Sequence, residues 1–398
     1  MLEVRSAHDD DLEAIARLQA ARNGPECDAM VRSLWVDDDC GPGRFTVAAD
    51  DGTVVSSLCL IPGTLRLGGV EIPVGQPEFV ATATTHGHQG LVRRQFDLVH
   101  QWSADAGHLT QLIAGIPYFY RRFGYEYAIT MPSLRLLLPG TDVSMPDGWS
   151  VRPAAVDDLP TILDFERSVQ ELSELTMSRS DTWWRWWIAH PEQTMPHVAV
   201  RDGRIEASGS IGVAGPGVHD NVVDLIWIGG RHPDGLRALV AHAAVTGAGK
   251  PVAFEDRDGL ASILRPQSTV HPRQYALYVR VADPVALLNH LRPVLSQRLA
   301  ASPFAAARGD LLLSSYARSL VISYENGEVT EITAGGPEQD PWRRGGAGMP
   351  PDQLATLIFG RYGALGLDER YDDVRLGPAA ALMDVLFPAV TNDIVLPL

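Results

Sequence analysis

The residues best suited to chemistry lie between Glu78 and Tyr127. Within this stretch the run Thr85-His86-Gly87-His88-Gln89-Gly90 precedes a segment of helical period. A loop that opens a helix points unpaired backbone N–H groups, and the positive end of the helix dipole, at whatever lies in front of it. Phosphate is the usual guest of such a loop, and Gly87 and Gly90 supply the backbone freedom it needs. No Gly-Lys-Ser/Thr follows, which disfavours a nucleoside triphosphate. Taken alone, such a Gly-rich turn is more often a plain β–α connection with no ligand.

The neighbouring elements must hold this loop. Phe79, Val80 and Ala81 form an apolar run before it, and Leu91, Val92, Phe96, Val99 and Trp102 follow at helical spacing. A second apolar run, Leu109 to Ala114, leads through Gly115-Ile116-Pro117 into Tyr118, Phe119, Tyr120, Phe123, Tyr125 and Tyr127. Two neighbouring strands joined through a helix would return these aromatics to the side of the loop.

The stretch resembles the acetyl-CoA core of the GNAT superfamily of N-acyltransferases. Gly87 to Val92 fall on its Q/R-x-x-G-x-G/A loop, with Gly87 in place of Gln or Arg and Val92 in place of Gly or Ala. Tyr120 stands four residues before Gly124-Tyr125, as in the superfamily, and Phe119-Tyr120-Arg121-Arg122-Phe123-Gly124-Tyr125 is similar to the enhanced intracellular survival (Eis) family of aminoglycoside acetyltransferases. The resemblance implies acetyl-CoA as co-substrate and no metal. It implies that backbone groups of Val80 and Thr82 hold the pantetheine arm as an added strand, and that Gly87, His88, Gln89, Gly90 and Leu91 meet the pyrophosphate, with Gly115 beside the cofactor. Arg93, Arg94 or a protonated His88 would supply the local positive charge. Tyr120 is the implied acid for the departing thiolate, since a phenol with a pKa near 10 keeps its proton at neutral pH. Packing against Phe119 and Phe123 is the alternative role for it. The family's base is the C-terminal carboxylate, here Leu398, with Glu78 acting through a water as the alternative. Phe79 would face the acceptor; the Asp37-Asp38-Asp39 run near Trp35 reads as a solvated turn, with help in holding a cationic amine, together with Trp35, as its alternative.

Composition sets the wider frame. At 398 residues and 45% hydrophobic content, several filled cores are expected. The formal charge of −16 argues against nucleic acid and anionic membrane and suits a cationic small molecule, although it equally suits simple solubility. Three irregularly spaced cysteines, Cys27, Cys40 and Cys59, give neither a disulfide framework nor a metal clip. With no long apolar run and an acidic start, the expected location is the cytoplasm.

An internal repeat divides the chain. Val4-Arg5, Ala7 and Asp10-Asp11-Leu12 recur at one constant offset as Val151-Arg152, Ala154 and Asp157-Asp158-Leu159, each running into an amphipathic helix. Asp51-Gly52 and Asp202-Gly203 each follow an apolar strand, as hairpin turns do. In the second copy the loop is Gly229 to Gly235 and includes Pro233, and no Tyr-x-x-Phe-Gly-Tyr follows. The copy therefore reads as a structural partner, with phosphate binding as its alternative. Trp183-Trp184-Arg185-Trp186-Trp187 reads as the buried face of a helix or as a binding wall. From Pro284 the pattern stops, and leucines at helical spacing precede a set of strands; this region resembles the sterol-carrier-like third domain of the Eis family. The expected fold is mixed α+β, with domains at 1–148 and 149–283, both GNAT-like, and 284–398, assembled as a homo-oligomer, a hexamer by the resemblance. Acetyl transfer to an amine of a cationic small molecule or a lysine is the expected function. A scaffold that kept the fold without catalysis, and a lipid carrier with a cavity among Leu311, Leu313, Val321 and Leu357, are the competing readings.

Overall fold

The computed structural model describes residues 2–37, 40–179, 181–190, 195–213, 222–270 and 275–394. Its contacts divide the chain into two compact units, Met1–Thr130 with Ala276–Thr391, and Met131–Tyr275 with Asn392–Leu398.

The first unit is built on strands β1 (Leu2–Ser6), β2 (Phe45–Asp50), β3 (Thr53–Leu67), β4 (Val70–Thr82), β5 (Thr110–Ile113) and β6 (Glu126–Thr130). β1 to β4 form an antiparallel meander, and β5 joins β4 in parallel after helix α3 (Leu91–Asp105). Between β5 and β6 sits the strand Ala276–Arg280, antiparallel to both. Its Tyr278 pairs with Ile113 on one side and Tyr127 on the other. Helices α1 (Leu12–Asn23) and α2 (Cys27–Trp35) pack with β2 to β4 around Ile15, Val31, Phe45 and Phe79. The repeated Arg/Asp motif has a local cause. Arg5 Nη1 donates to Asp11 Oδ2 at 2.6 Å, and the same oxygen accepts the His8 N–H at 2.7 Å, closing the turn into α1. Arg152, Asp158 and the Ala155 N–H repeat the arrangement at 2.6 and 2.8 Å in the second unit.

The remainder of the first unit carries helices Pro284–His290 and Arg292–Ala300 and a four-stranded sheet of Glu328–Gly335, Ser319–Glu325, Arg308–Ser314 and Ala347–Gly348. The leucine-spaced run is thus two helices, because Pro293 removes a donor at the start of the second. Helix Leu354–Phe359 packs on β6, where Thr356 Oγ1 donates to Tyr127 O at 3.0 Å.

The second unit repeats the construction: Trp149–Pro153, Pro196–Arg201, Arg204–Val213 and Val223–Gly230 in antiparallel succession, then helix Pro233–Thr246 and the parallel strand Val252–Glu255. Leu134–Leu137 pairs with Val252–Glu255 and Ser268–Val270 in this sheet, although it precedes the repeat in sequence. Trp184 and Trp187 pack on Trp227 from helix Asp181–Ala189, so the tryptophan run forms a core here, with Trp183 and Trp186 at its half-buried margin.

Candidate active site

A bulge in β4 shapes the site. The β3–β4 register slips between Ser57↔Ala81 and Cys59↔Glu78, and Phe79, within the slip, adopts φ +54°. That conformation is costly for a bulky L-residue. The surroundings impose it: Phe79 is buried among Trp35, Val31 and Cys59, and buried Gln19 donates to Phe79 O and, at 2.8 Å, to Ser57 Oγ. β4 and β5 pair only at Val74↔Thr110 and Gly75↔Gln111. Beyond that ladder they part, leaving the edge of Val80 to Thr82 that faces away from β3 without β5 as a neighbour.

Helix α3 holds the loop at the mouth of this split. Its buried side, Leu91, Gln95, Phe96 and Val99, lies on the sheet, and Gln95 Nε2 donates to Thr46 O at 3.2 Å while its Oε1 lies 2.7 Å from the Ser56 hydroxyl. Gly90 caps the helix at φ +74° and His88 stands at φ +62°. Among the described residues the backbone N–H groups of His88, Gln89 and Gly90 have no protein acceptor. A cavity of about 890 Å³ opens before them. Val80, Thr82, Gly87, His88, Gln89, Gly90 and Leu91 all line it. So do Arg22, Arg93, Arg122, His86, Phe119 and Phe123, and among the described residues no carboxylate does. Three arginines around one cavity, in a chain of charge −16, make a local positive field suited to a polyanion. Arg22 and Arg122 escape a reading confined to the loop, because they come from the end of α1 and from the aromatic turn.

The aromatic turn closes the opposite wall. Phe123 stacks on Phe96 at 4.5 Å, Arg93 lies over Phe123 at 5.2 Å, and Arg93 Nη2 donates to Arg122 O at 3.4 Å. Tyr120 is 4% exposed and is not among the cavity's lining residues; it packs behind Phe119, edge-on to Phe96 and Tyr278. Its phenol is turned toward Gly115, where a Cβ would stand 3.3 Å from the hydroxyl, and Val80 packs against the same cluster. Gly115 therefore gives the phenol its place at the end of β5 while lying outside the lining itself. Tyr125 is buried, its hydroxyl 3.1 Å from His100 Nε2 and donating to Gln111 at 3.3 Å. Burial, with Arg280 nearby, pulls His100 down to about 4, which keeps it neutral.

Glu78 and Trp35 are not among the described residues that line this cavity. Glu78 is half-buried and accepts from Gln76 Nε2 at 2.9 Å. Trp35 ends α2 and packs 5.0 Å from Phe45 in the cluster that holds Phe79. Asp37 Oδ1 accepts the Cys40 N–H at 2.9 Å; Asp38, Asp39 and Leu398 lie outside the described residues. Of the four residues expected around a lipid cavity, Leu313 lines a second cavity in the same unit, whereas Leu311, Val321 and Leu357 line neither.

The second copy has the same bulge, at Trp227 with φ +59°, but its loop is closed. The Asp234 N–H donates to His232 Nδ1 at 3.1 Å, the Gly235 N–H to His232 O and the Arg231 N–H to Glu206 O. A Cβ on Gly235 would meet Ala207 at 2.9 Å. The N–H groups of Arg231, Asp234 and Gly235 are thus already engaged, unlike those of His88, Gln89 and Gly90 in the first copy.

Residues 3–128 match the model of the acetyltransferase (GNAT) domain family. Among curated proteins, none matches the sequence significantly. Solved structures share the fold over nearly the whole chain. A GCN5-related N-acetyltransferase from Anabaena variabilis is 12% identical, with 99% of each chain covered and a TM-score of 0.71. One from Kribbella flavida is 18% identical, covering 99% of this chain and 97% of its own, at 0.68. Eis1 from Mycobacterium abscessus is 15% identical, with 99% and 98% covered, at 0.62.

Proposed function

We propose that this chain, whose residues 3–128 form a GNAT acetyltransferase domain, transfers acetyl from acetyl-CoA to an amine of a small cationic molecule, an aminoglycoside or polyamine, or to a lysine side chain. The observation that carries the reading is the open loop: free N–H groups of His88, Gln89 and Gly90, with Arg22, Arg93 and Arg122, face one cavity bordered by the bare edge of β4. A pyrophosphate fits such a cradle, and an extended amide-bearing arm fits the strand edge. The same openness favours binding over the scaffold reading.

In this reaction the neutral amine attacks the thioester carbonyl. The C–N bond forms, the C–S bond breaks, and the thiolate leaves. Tyr120 gives the thiolate its proton from beside Gly115. The amine's proton goes to a carboxylate, that of Leu398 by resemblance to the Eis family or Glu78 through a water. By the same resemblance Phe79 and Trp35 would serve the acceptor side, although both pack in the core cluster around Phe45 and Val31 and neither is among the described lining of the cavity. In this reading the protein works in the cytoplasm as a homo-oligomer, a hexamer by the same resemblance, with domains at 1–148, 149–283 and 284–398.

An acetylation screen against polyamines, aminoglycosides and lysine peptides, run beside Tyr120→Phe, tests the proposal. Turnover of at least one amine, with kcat in the variant lower by roughly 10²-fold, is expected. An unchanged rate in the variant removes Tyr120 as the acid, and no turnover of any acceptor class removes the activity.

A further inference from the structure

A second cavity, of about 530 Å³, lies in the same unit, with Gly124 and Glu126 in its wall just beyond the aromatic turn. Its floor is apolar and buried, formed by Val279, Leu313, Met349 and Ala355. Its size falls within the roughly 300–1,000 Å³ of small-molecule sites. Most polar groups of the wall are already engaged. Glu126 Oε1 accepts from Arg121 Nε at 2.8 Å and from the Tyr127 N–H at 3.0 Å. Asp283 accepts the Ala286 N–H at 3.0 Å. The hydroxyls of Ser314, Ser315 and Ser319 donate to Glu338 O, Arg318 O and Gly336 O at 2.6, 3.0 and 2.8 Å.

Two charged side chains on the wall are left over. Arg318 and Asp352 are exposed, and neither side chain makes an ion pair or hydrogen bond among the described residues. An apolar occupant would strip water from both charges and return nothing to either, and a ligand of one charge would compensate only one. We propose that this cavity binds a small zwitterion with an apolar body, of the kind of a free aliphatic amino acid or its dipeptide. The carboxylate meets the Arg318 guanidinium, whose planar fork suits it, the ammonium meets Asp352, and the aliphatic part lies on Leu313, Met349 and Val279. This site shares no lining residue with the acetyl-CoA cavity and does not depend on that assignment.

Calorimetric titration of the full chain with L-leucine and L-leucyl-L-leucine tests it, with N-acetyl-leucine and leucinamide as analogues that keep one charge each. The zwitterions should bind at least about tenfold more tightly than either analogue. Arg318→Gln should bring leucine down to the affinity of leucinamide, and Asp352→Asn to that of N-acetyl-leucine. Both variants should keep the wild-type thermal midpoint, since these side chains hold nothing else. The proposal is overturned if neither zwitterion gives saturable heat up to about 10 mM, or if both variants bind as wild type does.

Discussion

Phe79 and Trp227 occupy the same strained place in the two copies, φ +54° and +59°, each at the slip that bends its strand. Neither is legible in the sequence, where both read as ordinary strand residues, because the strain is imposed by tertiary packing. The partners differ. In the second copy it is the buried Glu255 carboxylate that accepts the Trp227 N–H, at 2.8 Å. Burial pushes this carboxyl up to about 7, with Arg257 opposing the rise. The folded protein therefore keeps a proton on Glu255 up to near neutrality, while the unfolded chain releases it near pH 4.5. Between those values the native state binds more protons, so this group costs stability increasingly as pH rises from about 4.5 to 7. Glu255→Gln removes that dependence. Relative to wild type, the variant should gain stability by up to roughly 3 kcal/mol between about pH 5 and pH 7.5 in denaturant titrations. A variant-to-wild-type difference that is the same at both pH values would contradict the assignment.

Among the elements, loop and helix were readable where local chemistry decides. Gly87, Gly90 and the spacing of Leu91, Phe96 and Val99 locate the loop and α3, and seven of the nominated cofactor residues line the cavity. The strand Ala276–Arg280 was not readable as a member of the first sheet, nor Leu134–Leu137 as a member of the second, because strand pairing across such sequence distance leaves no local signal. The basic rim was only partly legible for the same reason: Arg93 sits beside the loop, whereas Arg22 and Arg122 arrive through the fold. The contrast between the loops makes a prediction at this scale. Gly90 has φ +74° and open space where a Cβ would stand, so Gly90→Val fits sterically, strains the cap and crowds the cradle. It should weaken acetyl-CoA binding by about tenfold or more while shifting stability by only about 1–2 kcal/mol. Unchanged affinity in a folded variant would mean that the loop does not hold the phosphates.

At the scale of the whole molecule, charge is distributed against its average. Each unit is a bent sheet with a crossover helix, and the tandem construction was visible in the Arg/Asp motif because that motif closes the same turn twice. In the second unit the segment Asn392–Asp393 is held by Arg257, fully buried, whose Nε donates to Asp393 Oδ1 at 2.7 Å while its Nη2 bonds Glu166 at 3.0 Å. No sequence pattern announced that anchor, because its members come from three distant stretches. The first unit gathers three arginines around a cavity with no carboxylate among its described lining residues, within a chain that is acidic overall. Calorimetric titration of the full chain with acetyl-CoA tests this account most directly. It predicts saturable one-site binding with Kd below about 100 µM that weakens as salt is raised. No heat at high micromolar acetyl-CoA, in protein shown to be folded, would contradict it.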